Sequence, residues 1–197
     1  MIAALTVENL ACQRGARRLF EHLNFTLQAG QVLAVEGANG AGKTSLLRLI
    51  AGFLAPAAGL VRMDEVSDPE QRGRLVGWLG HHDALKGAFT AAEQLGFFAR
   101  LHGSKADIGG ALERVGLARQ GELACRYLSA GQKRRLALAR LLVSSRPLWL
   151  LDEPFAALDA AGKALAARLM REHCDAGGMV LAATHEPLGL SNASISL

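Results

Sequence analysis

The residues Gly37–Thr44 read Gly-Ala-Asn-Gly-Ala-Gly-Lys-Thr and match the phosphate-binding pattern G-x-x-x-x-G-K-[ST]. Glycines at these spacings let backbone N–H groups approach phosphate oxygens closely. The Lys43 ammonium is expected to reach the β- and γ-phosphates, and the Thr44 hydroxyl is expected to bind Mg²⁺. The pattern therefore predicts a nucleoside triphosphate site, with loop contacts from Gly37, Ala38, Asn39, Gly40, Ala41, Gly42, Lys43, Thr44 and Ser45.

A pair of acidic residues follows the apolar run Leu148–Leu151. The run predicts a buried strand, and Asp152 and Glu153 stand at its carboxyl end. Asp152 is expected to hold Mg²⁺ through water, and Glu153 to orient or deprotonate an attacking water. By itself the pair is also typical of a solvated turn before Pro154, but downstream of a phosphate-binding loop it indicates hydrolysis.

The segment Leu128–Gln132, Leu-Ser-Ala-Gly-Gln, opens a predicted helix shortly before that acidic strand end. A helix N-terminus carries unpaired N–H groups and binds anions. Ser129, Gly131 and Gln132 are therefore expected to contact a nucleotide, while Ser129 also suits a helix N-cap. Two anion-binding turns can serve one nucleotide if each copy of the chain contributes one turn to the ATP that a second copy binds. The segment resembles the LSGGQ signature of the ABC-type ATPases, in which subunits pair in this way.

The resemblance to ABC ATPases covers essentially the whole chain, with the motifs in order. It implies that Asp159, in Ala157-Leu158-Asp159, helps to link two active sites, and that His185 lies near the γ-phosphate. The implied cofactors are ATP and Mg²⁺. The implied catalytic residues are Glu153, His185 and Lys43, and the implied Mg²⁺ ligands are Thr44 and Asp152.

Three positions depart from the usual ABC pattern. Ala130 stands where glycine is commoner, so its backbone is expected to keep a negative φ. His82, in Gly80–Asp83, is the best match to a glutamine of the family, and its titration near neutrality could make activity depend on pH. Arg14 stands where many relatives stack an aromatic ring on adenine. We expect Arg14 and His82 to contact ATP, and selectivity for adenine over guanine stays open.

The composition is that of an ordinary globular domain, since 50% of the 197 residues are hydrophobic and 20% are charged. The net charge is +4, and Arg134, Arg135 and Arg140 on one predicted helix are interpreted as a solvated face, with no nucleic-acid partner expected. Three widely spaced cysteines predict free thiols. No signal peptide and no membrane-spanning run is found, so we expect a soluble chain whose transport pore lies in other chains.

Strand and helix patterns alternate, which predicts an α/β fold with a mostly parallel sheet and helices on both faces. We expect one P-loop ABC ATPase domain over 1–197, with an antiparallel N-terminal β portion. Its nucleotide core is expected at about 1–80 and 145–197, with a helical signature subdomain inserted at about 88–143. Strands are predicted at Leu5–Leu10, Phe25–Leu27, Gln31–Glu36, Leu60–Met63, Leu75–Leu79, Trp149–Asp152 and Met179–Ala183. Helices are predicted at Lys43–Ala51, Ala91–His102, Gln132–Val143 and Ala160–Glu172, with another capped by Asp107.

Four segments point to one branch of the family. Trp78–Lys86 with Thr90 and Glu93, then Ala139–Leu142, Arg146–Phe155 and Thr184–Leu188, are similar to the haem-exporter ATPases of cytochrome c biogenesis. That resemblance implies a peripheral subunit on the cytoplasmic face of a bacterial inner membrane. Its implied partners are integral membrane permease subunits and a second, head-to-tail copy of the chain. The histidines lack a haem-binding context and no Cys-x-x-Cys-His occurs, so no direct haem site is expected.

Three other functions remain open from the sequence. The chain could be the ATPase of another short ABC exporter, for a drug, a lipid or a peptide. A soluble ABC protein acting on ribosomes or DNA is a second alternative, although the linker, coiled coil or zinc insertion of such proteins is not found. An inactive regulatory subunit is a third, suggested by Ala130, His82 and Arg14 but opposed by intact Lys43, Asp152, Glu153 and His185.

Overall fold

A parallel sheet of five strands forms the centre of the molecule, in the order β5-β6-β7-β3-β8. The structure is a computed structural model that describes residues 2–190 and 193–197. Strands β6 and β7 are buried at every residue, because helices or the second sheet cover both faces. The strands are β1 Ala4–Arg14, β2 Arg17–Gln28, β3 Val32–Glu36, β4 Ala58–Met63, β5 Val76–Leu79, β6 Leu148–Asp152, β7 Met179–Ala183 and β8 Ala193–Ser196.

Strands β1, β2 and β4 form a separate antiparallel sheet in the order β2-β1-β4. Leu5 pairs with Leu27 on one side and with Met63 on the other, and all three are buried. The neighbouring Thr6 lies opposite Thr26, so the strands alternate between the core and the outside. The predicted fold class, a mostly parallel core with an antiparallel N-terminal portion, is confirmed.

Some of the helices pack directly against the parallel sheet, on both of its faces, and others pack on those helices. They are α1 Lys43–Ile50, α2 Pro69–Gly73, α3 Ala91–Leu101, α4 Ile108–Arg114, α5 Ala130–Ser144 and α6 Ala160–Asp175. None of the helices in the described chain is long and apolar enough to cross a membrane. The predicted Asp107 is the residue before α4, but its side chain makes no capping hydrogen bond there.

Two hydrophobic cores lie on opposite faces of the parallel sheet. Leu33 and Val35 of β3 face the core shared with α1 and the antiparallel sheet. Val32 and Ala34 face the other core, which contains residues of α3 to α6. The segment that carries the Leu128–Gln132 turn is therefore packed onto the nucleotide-loop strand through a continuous apolar core.

The prediction of a solvated arginine face on α5 is wrong. Arg134 is 2% exposed and Arg140 is 7% exposed, and only Arg135 of the three is not buried. Arg140 donates to the carbonyl of Ala84 at 3.2 Å and lies over the Phe98 ring, with 4.8 Å between Cζ and the ring centroid. Burial lowers the pKa of Arg140 to about 10. These guanidinium groups are buried because carbonyl oxygens and aromatic rings replace their water.

All three cysteines are free, as the sequence predicted, and all three are buried. Burial raises the pKa of the Cys12 and Cys125 thiols and raises the pKa of Cys174 to about 11. Since the thiolate is the reactive form, each of these thiols is poorly reactive at neutral pH.

The His173 ring at the end of α6 stacks on the Trp149 indole of β6, with centroids 4.0 Å apart. Its Nε2 donates to the carbonyl of Pro147 at 3.2 Å, and burial lowers the pKa of His173 to about 4. An unfolded histidine titrates near 6.5, so the unfolded chain binds the proton between about pH 6.5 and 4. This group therefore stabilises the fold above about pH 6.5, and its contribution is lost as the pH falls toward 4.

Replacing His173 by phenylalanine is expected to keep the stacking on Trp149. The free energy of unfolding falls between pH 7 and pH 4 in the wild type, and this fall should be smaller by about 2–3 kcal/mol in the variant. Chemical denaturation of both proteins at pH 7 and pH 4 measures the difference. The exposed His22 serves as control, because His22→Asn should retain the wild-type slope. An identical pH slope in wild type and His173→Phe would contradict the burial of an uncharged ring.

Candidate nucleotide site

The loop between β3 and α1 needs glycine at three positions. Gly37, Gly40 and Gly42 have φ angles of 144°, 82° and 116°, in a region that other residues rarely adopt. A side chain at Gly42 would also lie 3.1 Å from the Phe20 ring. No side chain of the described residues caps α1 at Gly42, so the first amides of this helix are left for an anion.

The Lys43 side chain folds back over this loop. Its Nζ donates to the carbonyl of Gly37 at 2.6 Å and to that of Ala38 at 3.3 Å, and the residue is 8% exposed. Three donor hydrogens on one ammonium leave room for a further acceptor. The Lys43 ammonium therefore lies on the concave side of the loop, where it can bind a phosphate oxygen.

Thr44 and Asp152 meet at the end of β6. The Thr44 Oγ1 lies 2.9 Å from Oδ2 and 3.1 Å from Oδ1 of Asp152, which is 5% exposed. A hydroxyl and a carboxylate next to a phosphate-binding loop are the hard oxygen donors that Mg²⁺ prefers. The residues present thus fit a divalent cation bound together with a nucleotide.

Glu153 and His185 form a second polar pair beside Asp152. The Glu153 Oε2 lies 2.8 Å from the Nδ1 of His185, and their side chains are 20% and 66% exposed. Glu153 has a left-handed backbone with φ of 51°, and its N–H donates to the carbonyl of Ala183 at 2.8 Å. His185 lies two residues after the end of β7, so the adjacent strands β6 and β7 bring the pair together.

These groups line one cavity of about 690 Å³. Its wall also contains Leu19 and Arg14, and Arg14 is the residue predicted to contact ATP. His81 lines the cavity and the predicted His82 does not, although the two rings are 5.3 Å apart. The predicted residues that the cavity brings together are Arg14, Ala38, Asn39, Gly40, Gly42, Lys43, Thr44, Ser45, Asp152, Glu153 and His185.

The Leu128–Gln132 turn does not line this cavity. Ser129 is the N-cap of α5, and its side chain exchanges hydrogen bonds with Gln132 in a capping box. Ala130 is the first helical residue and lacks a positive φ, in agreement with the prediction. Ser129 and Ala130 are exposed, so the N-terminus of α5 presents its amides to the outside of the molecule.

The turn lies against the segment that contains Asp159. A side chain at Gly131 would come 3.1 Å from the carbonyl of Ala157, which itself has a φ of 61°. Asp159 caps α6 by accepting from the N–H of Gly162 at 2.8 Å. Asp159 therefore has a structural role within the chain, and its predicted role between two active sites stays a prediction.

Arg134 is the residue that the sequence interpretation missed. Its guanidinium donates to the carbonyls of Gly80 and Asp152 at 2.8 Å each, and to Asp83 Oδ1 at 3.0 Å. It also donates to the carbonyls of Glu153 and Pro154. The buried Arg134 side chain thus connects the carboxyl end of β6 to the Gly80–Asp83 loop through hydrogen bonds. A sequence signal existed, because Arg134 lies three and seven residues before the core residues Ala137 and Leu141.

Comparison with known proteins decides the family. The family described as ABC transporter matches residues 20–156, which include the nucleotide loop, the Leu128–Gln132 turn and the acidic pair. The chain belongs to the ABC transporter family. The activity of this family, ATP hydrolysis that serves a transporter, is accordingly the activity of this ATP-binding chain.

The curated relatives that are 50% identical to the chain include one from Rhodopseudomonas and one from Brucella. One is the cytochrome c biogenesis ATP-binding export protein CcmA of Rhodopseudomonas palustris (strain BisB5), with 95% of this chain and 94% of the relative covered. The other is the protein of the same name in Brucella abortus (strain 2308), with 96% and 88% covered. The branch resemblance found in the sequence is confirmed by these similarities.

Solved structures agree with the fold. An ATP-binding subunit of an ABC transporter superposes with a TM-score of 0.89 at 23% identity, covering 100% of this chain and 86% of the other, and shows the fold. The cbiO1 protein of Clostridium perfringens, part of the ABC transporter complex cbiONQ, superposes with a TM-score of 0.80 at 27% identity. That comparison covers 94% of this chain and 80% of cbiO1.

Proposed function

We propose that this ABC ATPase drives haem export, or the release of a haem-carrying chaperone, in the biogenesis of c-type cytochromes. The observation that carries the proposal is 50% identity, over nearly the whole chain, to curated cytochrome c biogenesis ATP-binding export proteins. Lys43, Thr44, Asp152, Glu153 and His185 all line the cavity, which supports an active ATPase subunit rather than an inactive one. We place it at the cytoplasmic face of a bacterial inner membrane, bound to integral membrane permease subunits.

The residues that line the cavity have different roles in ATP hydrolysis. The amides of the glycine loop and the Lys43 ammonium hold the phosphates of ATP and stabilise the charge that develops on transfer. Thr44 and Asp152, whose side chains are in contact, would hold Mg²⁺, which would supply further positive charge at the phosphate oxygens. Glu153 accepts the proton of the attacking water, and His185 orients the Glu153 carboxylate through their 2.8 Å contact.

Two copies of the chain are required to complete the site. Ser129 and Gly131 lie on a turn that does not line the cavity of its own chain, and Ser129 is exposed. A head-to-tail pair would bring each turn to the nucleotide held by the partner copy. ATP would then favour the closed pair by binding it more tightly than the open one, and hydrolysis would release it.

Asp152→Asn is expected to raise the Mg²⁺ concentration for half-maximal ATPase activity by about tenfold or more, because it removes a negative charge from the cation site. The amide can still bond to Thr44, so the fold should persist. The measurement is the ATPase rate against Mg²⁺ at fixed ATP. Glu36→Gln is the matched control, since Glu36 ends β3, is exposed and does not line the cavity. An unchanged Mg²⁺ requirement in Asp152→Asn would remove Asp152 from the cation site.

The transport role is tested by recovering the tagged chain from native membranes in mild detergent. Mass spectrometry should identify small multi-spanning subunits, and the haem absorbance spectrum should identify a haem-linked chaperone. A Lys43→Ala chain in place of the wild type should abolish haem attachment to c-type cytochromes. Recovery of unrelated permeases with normal c-type cytochromes would leave an ATPase of another exporter, and recovery of ribosomes or DNA would overturn a transport role.

A further inference from the structure

His81 lies in the wall of the nucleotide cavity with its ring nitrogens free. The chain has six histidines. Within residues 2–190 and 193–197, the histidines whose ring nitrogens hydrogen-bond or form ion pairs are His22, His102, His173 and His185. The rings of His81 and His82 make no such bond to the described residues, and of these two only His81 lines the cavity. The exposed His81 ring therefore keeps its full hydrogen-bonding capacity for a ligand of the cavity.

The register of the parallel sheet brings His81 beside Glu153. Leu79 of β5 pairs with Leu151 of β6. His81 lies two residues after Leu79, and Glu153 lies two residues after Leu151, so both residues leave the sheet at the same edge. Because the strand order is β5-β6-β7, His81 reaches the cavity on one side of Glu153 and His185 reaches it on the other.

Hydrogen bonds hold the loop that carries His81 on both sides of this residue. Arg134 donates to the carbonyl of Gly80 at 2.8 Å and to Oδ1 of Asp83 at 3.0 Å. The same guanidinium donates to the carbonyl of Glu153. Since Arg134 is buried, a single side chain fixes the backbone around His81 relative to the backbone of Glu153.

The position of His81 along the sheet edge indicates which part of a nucleotide its ring can contact. The glycine loop follows β3, and Thr44 of α1 contacts Asp152 at the end of β6. Strand β5 lies on the other side of β6 from β3, so His81 is on the side of the cavity opposite the strand that leads into the glycine loop. A nucleotide held by that loop extends past the Thr44–Asp152 pair toward Glu153 with its terminal phosphate.

We propose that His81 donates a hydrogen bond to the γ-phosphate of bound ATP, which makes the site prefer a triphosphate to a diphosphate. A neutral imidazole has one N–H donor, and a hydrogen bond to a charged phosphate oxygen is stronger than one between neutral groups. ADP lacks the phosphate that His81 contacts, so the ring adds nothing to ADP binding. This contact depends on ATP binding, which the family shows, and not on the haem role.

Calorimetry on the purified chain with Mg²⁺ measures the contact without hydrolysis, with the non-hydrolysable analogue AMP-PNP and ADP as the two probes. His81→Ala should raise the Kd of AMP-PNP about tenfold and leave the Kd of ADP unchanged. His22→Ala is the matched control, because His22 is also exposed and lies outside the nucleotide cavity. It should keep both affinities. His82→Ala tests the assignment that the sequence favoured.

His81→Gln separates a hydrogen bond from a packing role, because its side-chain amide can donate to the same phosphate oxygen. It should bind AMP-PNP more tightly than His81→Ala does. An unchanged AMP-PNP affinity in His81→Ala, an equal loss of ADP affinity, a loss as large in His81→Gln, or a loss in His82→Ala instead would each overturn the proposal. Each of these results would leave the haem role untouched, since only nucleotide affinity is measured.

Discussion

Replacing Glu153 by glutamine is expected to lower the ATPase rate by about 100-fold or more, while ATP binding persists. The amide keeps the size of the side chain and can still contact His185, but it cannot take a proton from water. The phosphate groups of the site, Lys43 and the glycine loop, stay in place. Steady-state phosphate release measures the loss, and size-exclusion chromatography with ATP shows whether the unhydrolysed nucleotide traps a dimer.

Glu186 provides the matched control for that experiment. Its Oε1 lies 4.0 Å from the Nε2 of the same His185, but it does not line the nucleotide cavity. A hydrogen bond from Lys163 holds the pKa of Glu186 below its usual range. Glu186→Gln should therefore hydrolyse ATP at close to the wild-type rate. Equal rates for Glu153→Gln and Glu186→Gln would remove Glu153 from its role as the base.

Replacing Arg134 by methionine is expected to lower the free energy of unfolding by about 3–5 kcal/mol, because four carbonyls and Asp83 lose a buried cation. Two of those carbonyls belong to Asp152 and Glu153, so the acidic pair should also lose its fixed position. Urea denaturation measures the first effect. ATPase assays at a temperature where the variant stays folded measure the second, as a fall in kcat larger than any change in KM.

The adjacent Arg135 separates the buried network from a general effect of charge. Its single hydrogen bond, to the carbonyl of Val115, is 3.4 Å long, and the residue is not buried. Arg135→Met should therefore cost less than about 1 kcal/mol. Arg134→Lys should fall between the two, since an ammonium has three donors for five acceptors. Equal losses for Arg134→Met and Arg135→Met would show that the network contributes little.

The parts of the site that sequence could predict are those set by local chemistry. The glycine loop, Thr44 and the acidic pair each follow from residue type and spacing, and a parallel sheet places strand ends together. The structure brings them into one cavity with Arg14 and His185. The helix N-cap at Ser129 also depends only on neighbours in the chain, and it is present as the pattern indicated.

The parts that sequence could not predict depend on distant contacts. Arg134 was interpreted as solvated because its acceptors are up to 54 residues away in the chain. His81 lines the cavity instead of His82, since the orientation of a loop is fixed by what it packs against rather than by residue type. The short strand β8 was not predicted, because it is an edge strand with little buried surface whose partner β3 lies far earlier in the chain.

The burial of Cys12, Cys125 and Cys174 has a practical consequence for following the motion of the protein. Thiols that are covered and hard to ionise should react slowly with maleimide dyes and spin labels. A cysteine introduced at an exposed position such as Glu122 or Lys105 could then be labelled selectively, without first building a cysteine-free chain. Distances between such labels on two copies would test the proposed pairing, which predicts a shorter distance with ATP bound than after hydrolysis.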